Sequence, residues 1–283
     1  MSKIIVAVDF LEASINAFLH ALSIAKTCKQ DLLLVYVDKP TSEGEKFGEK
    51  NKDVAKDAKN AFEEMIPKYK AELPENKITY KIRKGKVYKE ITAEAKESKA
   101  SLVVVGTHGA SGFEEFFAGS NANKIVSASP CPVITIRGGI DIQRPLSRIV
   151  FPVDSTLETR QKATIVGYLA KCHDAEVFIL KVYRSKVKDL RQNVDLYASQ
   201  VSRHFEKEGV RHQVDGVDAD NLANAMIDYA KMIDANLIAI MTQQESGTSN
   251  LWMGPFAHQT VNHSPVPVLS VHPKETLAAG LGF

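Results

Sequence analysis

Residues 4–9 read Ile-Ile-Val-Ala-Val-Asp, and residues 149–154 read Ile-Val-Phe-Pro-Val-Asp. Each is a short apolar run that ends in an aspartate, which is typical of a buried strand followed by a loop. Further along, Ser-Pro-Cys-Pro-Val at residues 129–133 recurs as Ser-Pro-Val-Pro-Val at residues 264–268. The first match is offset by 145 positions and the second by 135, so the chain is an internal repeat with a shorter second copy.

Each copy alternates strand-like and helix-like segments, which predicts βαβ units and a doubly wound parallel sheet. The strand-like runs of the first copy are Ile4–Val8, Leu32–Val37, Ile78–Arg83, Leu102–Val105 and Val133–Ile136. The run Leu102–Val105 is apolar on both faces, as buried parallel strands are. We place the two domains at residues 1–140 and 147–273, with the link near Gly138–Ser147.

Local signals refine this outline. Ser155 followed by Glu158 predicts a capping box at a helix start, and Gly209 predicts a helix end. The polar run Lys39–Lys52 is the natural place for the ten extra residues of the first copy.

Bulk composition narrows the classes of partner and location. The net charge of the 283 residues is only +2, which gives no electrostatic case for nucleic acid or an anionic membrane as partner. No stretch approaches the length of apolar chain that a membrane span needs, and the first residues lead into a strand-like run without a signal-peptide core. Three cysteines lie far apart in the sequence and form no paired framework. A reduced, cytoplasmic setting is the simplest expectation.

The segment after Val105 is the candidate binding loop, because open α/β sheets bind ligands beyond the carboxyl ends of their strands. It contains Gly106 and Gly109, followed by Gly119 and Ser120 at the start of a predicted helix. Glycines let a backbone approach a ligand closely, and a helix N-terminus favours an anion. Two glycine clusters around a loop therefore suggest a phosphate cradle. Glycine-rich turns of this kind are also common for steric reasons alone, so the pattern by itself does not name a ligand.

The spacing Gly106-x2-Gly109-x9-Gly119-Ser120, together with Val8-Asp9 and the Ser-Pro-Cys-Pro-Val run, resembles the universal stress protein family in its tandem two-domain form. The resemblance covers nearly the whole chain. It implies two domains, each a five-stranded parallel sheet with helices on both faces. It also implies an ATP site, with adenine and ribose near Ala7, Val8, Asp9 and Val37. The phosphates would then lie on Gly106, His108, Gly109, Gly119, Ser120, Asn121 and Ala122. Asp9 is the candidate Mg²⁺ ligand, because a carboxylate beside phosphates suits a hard cation.

The second copy departs from this pattern. Met241 replaces the first glycine, Gln244 the second and Pro255 the serine, while Gly254 is retained. Met and Gln side chains would project where phosphate oxygens lie, and proline removes a backbone donor. We therefore expect ATP in the first domain only. Domains of this family commonly pair, so the two copies are expected to pair within one chain, and a homodimer of two chains remains open.

The leading functional prediction is a cytoplasmic ATP-binding protein with a sensor or regulatory role. No catalytic residue is assigned, so activity is at most slow ATP hydrolysis. A relative of adenylate-forming enzymes would carry a glycine loop after its first strand, and Asp9–Ala13 has none. The other alternative is a module whose second domain holds a non-nucleotide molecule. His258 and His263 are five apart, which does not present two zinc ligands on one helical face. For His108, a phosphate contact and an exposed loop position are both open.

Overall fold

The computed structural model describes residues 3–38, 54–107, 120–139, 145–242 and 254–273. We refer to residues 3–139 as the first half and residues 145–273 as the second half. The polar run Lys39–Lys52 falls outside the described residues, as does most of the candidate binding loop.

Strands form where the sequence has its apolar runs. Those of the first half are β1 (Lys3–Ala7), β2 (Asp31–Asp38), β3 (Ile78–Lys84), β4 (Leu102–Thr107) and β5 (Val133–Arg137). Those of the second half are β6 (Arg148–Val153), β7 (Glu176–Tyr183), β8 (His212–Asp218), β9 (Leu237–Met241) and β10 (Val268–Val271). The five strand-like runs of the first copy are thereby confirmed within one or two residues.

Helices occupy the segments with helical spacing. The first half contains α1 (Glu12–Cys28), α2 (Val54–Tyr69), α3 (Val87–Glu97) and α4 (Ser120–Ala128). The second half contains α5 (Ala163–His173), α6 (Lys188–Glu208), α7 (Leu222–Met232) and α8 (Pro255–His263). Helix α6 ends at Gly209, whose φ of 69° is left-handed, so the predicted helix stop is confirmed.

Within the described residues the ten strands form one sheet, in the order β3-β2-β1-β4-β5-β10-β9-β6-β7-β8. Each half is a parallel five-stranded unit, as predicted. The units join where β5 and β10 run antiparallel, with Ile134 opposite Leu269. The two copies therefore pair within the chain through their last strands.

The core lies on both faces of this sheet, and strand residues alternate between the faces. Ile4 and Val6 point toward α1 and α2, and that cluster continues under α5 and α6 of the second half. Ile5 points to the opposite face, where α3, α4, α7 and α8 pack. Each cluster runs across both halves, so the helix layers also cross the β5–β10 junction.

Two local predictions from the sequence can be compared with the structure, one in each half. The capping box at Ser155 and Glu158 is wrong, because a 3₁₀ turn spans Leu157–Arg160 and has no side-chain cap. Between β2 and α2 lie residues 39–53, whereas only residues 184–187 separate β7 from α6. The extra length of the first half therefore enters where the polar run was predicted to lie.

The order of the strands changes direction at β1. Strands β2 and β3 lie on one side of β1, whereas β4 and β5 lie on its other side. Connections leave the two strands toward opposite faces and open a crevice at their carboxyl ends. This crevice is the natural position for a ligand site.

Candidate functional site

A cavity of about 380 Å³ lies in this crevice of the first half. Its wall is formed by the carboxyl ends of β1, β2 and β4, by the start of α1 and by the start of α4. The lining residues are Ala7, Val8, Asp9, Ala13, Ser14, Val35, Tyr36, Val37, Asp38, Val54, Val87, Ile91, Val105, Gly106, Asn121, Ala122 and Ile125.

Seven of the predicted site residues line this cavity. These are Ala7, Val8, Asp9, Val37, Gly106, Asn121 and Ala122. Ser120 is the first residue of α4, and its side chain is not described. His108, Gly109 and Gly119 lie outside the described residues. Residues from three separate strands and one helix thus meet around one space.

The turn after β1 is held by its own side chains. Asp9 accepts the Leu11 backbone N–H on Oδ1 at 3.1 Å, and Ser14 Oγ accepts the Asp9 backbone N–H at 3.2 Å. Ser14 Oγ in turn donates to the Leu11 carbonyl at 2.9 Å. Phe10 has a left-handed φ of 63°, and its ring packs against Phe62 at 4.8 Å. This turn holds the exposed Asp9 carboxylate at the mouth of the cavity.

Gly106 allows α1 to approach the end of β4. A Cβ at this position would lie 2.9 Å from the Ser14 backbone nitrogen and closer still to the Ala13 carbonyl. Because those atoms belong to backbone, no side-chain rotation would relieve the clash. Helix α1 therefore starts directly over the strand end only because residue 106 has no side chain.

One side of the cavity carries negative charge. Burial raises the pKa of Tyr36, and the neighbouring carboxylates Asp38 and Asp9 raise it further. Carboxylate oxygens at an exposed rim are ligands of the kind that Mg²⁺ prefers. Within the described residues no three His, Cys, Asp or Glu side chains converge as a metal cluster, so Asp9 would act with ligand oxygens.

The part of the cavity that α4 lines is suited to an anion. Helix α4 begins there with Ser120, and its first turn carries no acidic residue. The unpaired N–H groups and the dipole at a helix N-terminus attract negative charge. The lining also includes the apolar side chains Val87, Ile91, Val105 and Ile125, which suit contact with a flat ring.

Comparison with known proteins decides the family. The model of the universal stress protein family matches residues 1–137 and again residues 145–272. The chain belongs to the universal stress protein family.

A universal stress protein of Methanocaldococcus jannaschii is 28% identical over 143 residues, which is 48% of this chain and 81% of the relative. A solved universal stress protein of Archaeoglobus fulgidus has a TM-score of 0.75 at 17% identity and covers 95% of this chain and 98% of its own. A universal stress protein of Lactobacillus plantarum, also solved, is 26% identical, covers 48% of this chain and 97% of its own, and has a TM-score of 0.41. The tandem form is thus seen in the repeated family match and in a full-length fold neighbour.

The second universal stress domain has a different arrangement at the same place. Met241 ends β9 where Gly106 lies in β4, and α5 begins at Ala163, six residues later than the position equivalent to the start of α1. The intervening chain forms the 3₁₀ turn Leu157–Arg160. Its Thr159 takes the role of Ser14, because Thr159 Oγ1 accepts the Asp154 backbone N–H at 3.3 Å.

A buried lysine contacts the 3₁₀ turn Leu157–Arg160. Lys162 is 1% exposed, and its Nζ donates to the Thr159 carbonyl at 2.6 Å and lies 4.2 Å from the centre of the Phe151 ring. Burial lowers the pKa of Lys162 to about 7, and the Asp154 carboxylate partly opposes that shift. Sequence reasoning missed this lysine, although its alignment with the buried Ala17 of the first copy was a usable signal.

A second cavity, of about 290 Å³, lies in the second domain. It is displaced toward α6 and is lined by Asp154, Ser155, Thr156, Val182, Tyr183, Arg184, Ser185, Leu190, Arg191, Val194 and Asp220. Neither Met241 nor the start of α8 contributes to it. Arg191 is already committed to an ion pair with Asp218 and stacks on the Tyr183 ring.

Two further findings concern parts of the structure outside these cavities. His258 lies 3.1 Å from the side-chain amide of Asn262 on α8, and it belongs to no group of three His, Cys, Asp or Glu among the described residues that could hold a metal ion. None of the described helices combines the length and the apolar character that crossing a membrane requires.

Proposed function

We propose that the first domain binds ATP with Mg²⁺ and that the protein acts as a nucleotide-dependent sensor or regulator. The observation that carries the proposal is the cavity of about 380 Å³ between the carboxylate Asp9 and the N-terminus of α4. In this assignment the adenine lies against the apolar wall, the ribose near Asp9 and Val37, and the phosphates at Ser120, Asn121 and the glycine loop.

A regulatory role is favoured over efficient hydrolysis by the charges around the cavity. Its described lining includes the carboxylates Asp9 and Asp38 but no lysine or arginine. Phosphoryl transfer is accelerated mainly by cations that stabilise charge on the transferred group. We therefore expect the bound ATP to be hydrolysed slowly. Release of phosphate at rates typical of kinases or dedicated ATPases would contradict this part of the proposal.

The substitution Asn121→Asp tests the ATP site without threatening the fold. It adds one negative charge in the first turn of α4, where a carboxylate stabilises the helix but repels phosphate. We expect ATP affinity to fall by about tenfold, because a like charge near the phosphates costs roughly 1.4 kcal/mol. The thermal midpoint should stay equal or rise. Calorimetric titration with Mg²⁺ and ATP measures the affinity.

Asn224→Asp is the matched control. Asn224 is an exposed residue in the first turn of α7, and its Oδ1 accepts a hydrogen bond from Gln259 that an aspartate also accepts. The two variants have the same net charge and the same kind of helix position. Equal ATP affinities in the two variants would contradict phosphate binding at α4.

The second domain supports a different proposal. None of the described residues that line its cavity belongs to α8, and Pro255 begins α8 without a backbone donor. A ligand there would be a small non-nucleotide molecule held between Asp154, Arg184 and Ser185. Native mass spectrometry of the purified protein tests this, since a co-purified mass other than a nucleotide supports it and a bare chain does not.

We also propose a cytoplasmic location, because Cys28 and Cys172 form no disulfide in the structure. Pairing through β5 and β10 already uses the edge strands at which the halves meet. A homodimer would therefore use another surface, and light scattering of the purified chain distinguishes one chain from two.

A further inference from the structure

Helix α4 ends with a carbonyl that its own hydrogen bonds cannot satisfy. In a regular helix the Val126 carbonyl accepts the backbone N–H four positions later, and that residue is Pro130. Proline has no N–H to donate. The N–H of Ser129 donates to the Ile125 carbonyl at 2.9 Å. Because Val126 is buried, water is a poor substitute, and the carbonyl needs a donor from outside the helix.

The second half supplies that donor. His272 follows directly after β10, and its Nε2 is hydrogen-bonded to the Val126 carbonyl, although the two residues are 146 positions apart. A carbonyl oxygen can only accept, so Nε2 carries the proton in this bond. Histidine near the C-terminus of a helix commonly satisfies one of the last carbonyls. The C-terminal cap of α4 thus comes from the other domain.

The second ring nitrogen fixes the orientation of the imidazole. Nδ1 of His272 lies 2.6 Å from the hydroxyl oxygen of Thr242, the residue that follows β9. The Thr242 backbone N–H donates to the Val271 carbonyl at 2.9 Å, so Thr242 and His272 are held side by side. Burial lowers the pKa of His272, and the bond to the Val126 carbonyl partly opposes that shift, so the ring is neutral at pH 7. In this state Thr242 donates its hydroxyl hydrogen to Nδ1.

The contact runs in one direction between the two halves. At the offset of 135 positions, His272 aligns with Arg137 of the first copy. Helix α8 has the same gap in its hydrogen bonds, because Pro265 follows Val261 by four positions. Among the described residues, however, Arg137 forms no matching bond with α8. The cap from the other half is therefore a feature of α4, the helix beside the first cavity.

Helix α4 connects this cap to the first cavity over a short distance. The helix has nine residues, from Ser120 to Ala128. Val126 lies six residues after Ser120, which is about 9 Å along the axis. Asn121 and Ala122, in the first turn of the same helix, line the cavity. A displacement at the C-terminal end of α4 therefore also moves the N–H groups at its N-terminal end.

We propose that His272 of the second half is a positioning residue for the nucleotide site of the first half, because it holds α4 at the Val126 carbonyl. This inference rests on the proposed function, since it assigns to the second half a role in ATP binding by the first. The second half then contributes to the nucleotide site without binding a nucleotide itself.

Two other interpretations of His272 are poorer. A histidine that only fastens the end of β10 would bond to neighbouring strands, whereas Nε2 reaches a helix of the other half. A metal ligand needs a ring nitrogen that is not already hydrogen-bonded, and both nitrogens of His272 have partners. The part of the chain that the structure describes also contains no group of three His, Cys, Asp or Glu that could hold a metal ion.

The test compares two amide substitutions that differ in reach. His272→Gln places a side-chain N–H near the position of Nε2, whereas the shorter His272→Asn reaches only the position of Nδ1. We expect the affinity for ATP with Mg²⁺ to fall about fivefold in His272→Asn and to stay within about twofold of the wild type in His272→Gln, since one hydrogen bond holds the helix end. Calorimetric titration of the full chain measures both affinities.

Tyr168→Phe is the matched control. It removes another hydrogen bond between the halves, from Gln30 Nε2 to the Tyr168 hydroxyl at 2.8 Å, which does not involve α4. This variant should bind ATP as the wild type does. Equal ATP affinities in His272→Asn and the wild type, or an equal loss in His272→Asn and Tyr168→Phe, would overturn the inference.

NMR spectra of the nucleotide-free chain separate this inference from the proposed function. The backbone amide signals of Asn121 and Ala122 should shift in His272→Asn and stay in place in Tyr168→Phe. In the wild type, the ring nitrogen signals of His272 should show the proton on Nε2 at pH 7, and this readout needs no variant to fold. A wild type that binds no ATP would contradict the proposed function, and these spectra would still decide about His272. Unmoved signals of Asn121 and Ala122, or a proton on Nδ1 alone, would overturn the positioning role.

Discussion

The first and second halves share strand order, helix order and the turn after the first strand, yet they differ at one buried strand end. Gly106 lets α1 start directly over β4, and a cavity lined by strand ends and α4 remains beside it. Met241 lies at the equivalent position, and there the first helix starts six residues later, behind a 3₁₀ turn. The two halves thus differ where the end of a central strand meets the start of the first helix.

The second half buries a lysine beside the start of its first helix, and this burial lowers its stability. Lys162 lies where the first half has Ala17, and its amine is enclosed by protein and bound to the Thr159 carbonyl. A buried amine is less stable when charged than one in water. The second half therefore keeps the fold of the first half while it buries an amine where the first half has an alanine.

The largest effect is expected from adding a methyl group to the strand end of the first half. Gly106→Ala places a Cβ against the Ala13 and Ser14 backbone. We expect the free energy of unfolding to fall by about 3 kcal/mol or more, since backbone must move. Urea denaturation measures it. The matched change Met241→Ala removes side chain instead and should cost about 1–3 kcal/mol. A smaller loss for Gly106→Ala than for Met241→Ala would contradict the comparison.

Replacing the buried amine should stabilise the second half. Lys162→Met keeps the length of the side chain and removes the charge, so we expect the free energy of unfolding at pH 7 to rise by about 2 kcal/mol. Chemical denaturation of both proteins at matched pH measures the change.

The pH dependence of the same pair of proteins has a defined sign. The pKa of Lys162 is lowered to about 7 in the folded state from an ordinary value of 10.5. Between these values the unfolded chain binds more protons than the folded one, so stability from this group rises with pH. The advantage of Lys162→Met should therefore shrink as the pH rises from 7 toward 10. An advantage that is constant with pH would contradict a neutral buried amine.

A smaller effect is expected at the two equivalent aspartates. Asp9→Asn should weaken ATP binding in the presence of Mg²⁺ by about five- to tenfold, because a carboxylate ligand of the cation is lost. Without Mg²⁺ the two affinities should be closer. Asp154→Asn is the control, since Asp154 holds the matching turn through the Thr156 backbone N–H at 2.9 Å. Equal effects of the two substitutions on ATP binding would contradict a site confined to the first half.

The smallest effect concerns the contact between the halves. Tyr168→Phe removes the hydroxyl that accepts the Gln30 side-chain N–H. We expect a loss of about 1 kcal/mol in the free energy of unfolding, because a buried amide donor is left without that partner. Tyr80→Phe serves as reference, since its hydroxyl meets Glu63 at 3.4 Å on the exposed surface and should cost less.

Much of the fold could be predicted, because it follows from patterns of burial. Runs such as Leu102–Val105 are apolar on both faces, and the repeat defines how many strands each half contains. Seven of the predicted site residues line one cavity, since strand ends of a parallel sheet meet at one edge. The domain limits at residues 1–140 and 147–273 and the ATP assignment remain predictions.

Other features depend on tertiary contacts that no local pattern specifies. The predicted capping box at Ser155 and Glu158 failed because the chain there forms a 3₁₀ turn and α5 begins only at Ala163. Ser14 was missed as well, although Thr159 stands at the same distance after Asp154 in the second copy.

The most direct test of the account is the number of ATP molecules that the intact chain binds. Calorimetric titration with Mg²⁺ and ATP should saturate at one per chain. The double variant Gly109→Val with Ser120→Ala should lose that binding while keeping the thermal midpoint of the wild type. Two ATP per chain would mean that the second half still binds nucleotide in spite of Met241, and no binding would contradict the assignment of the first cavity to ATP.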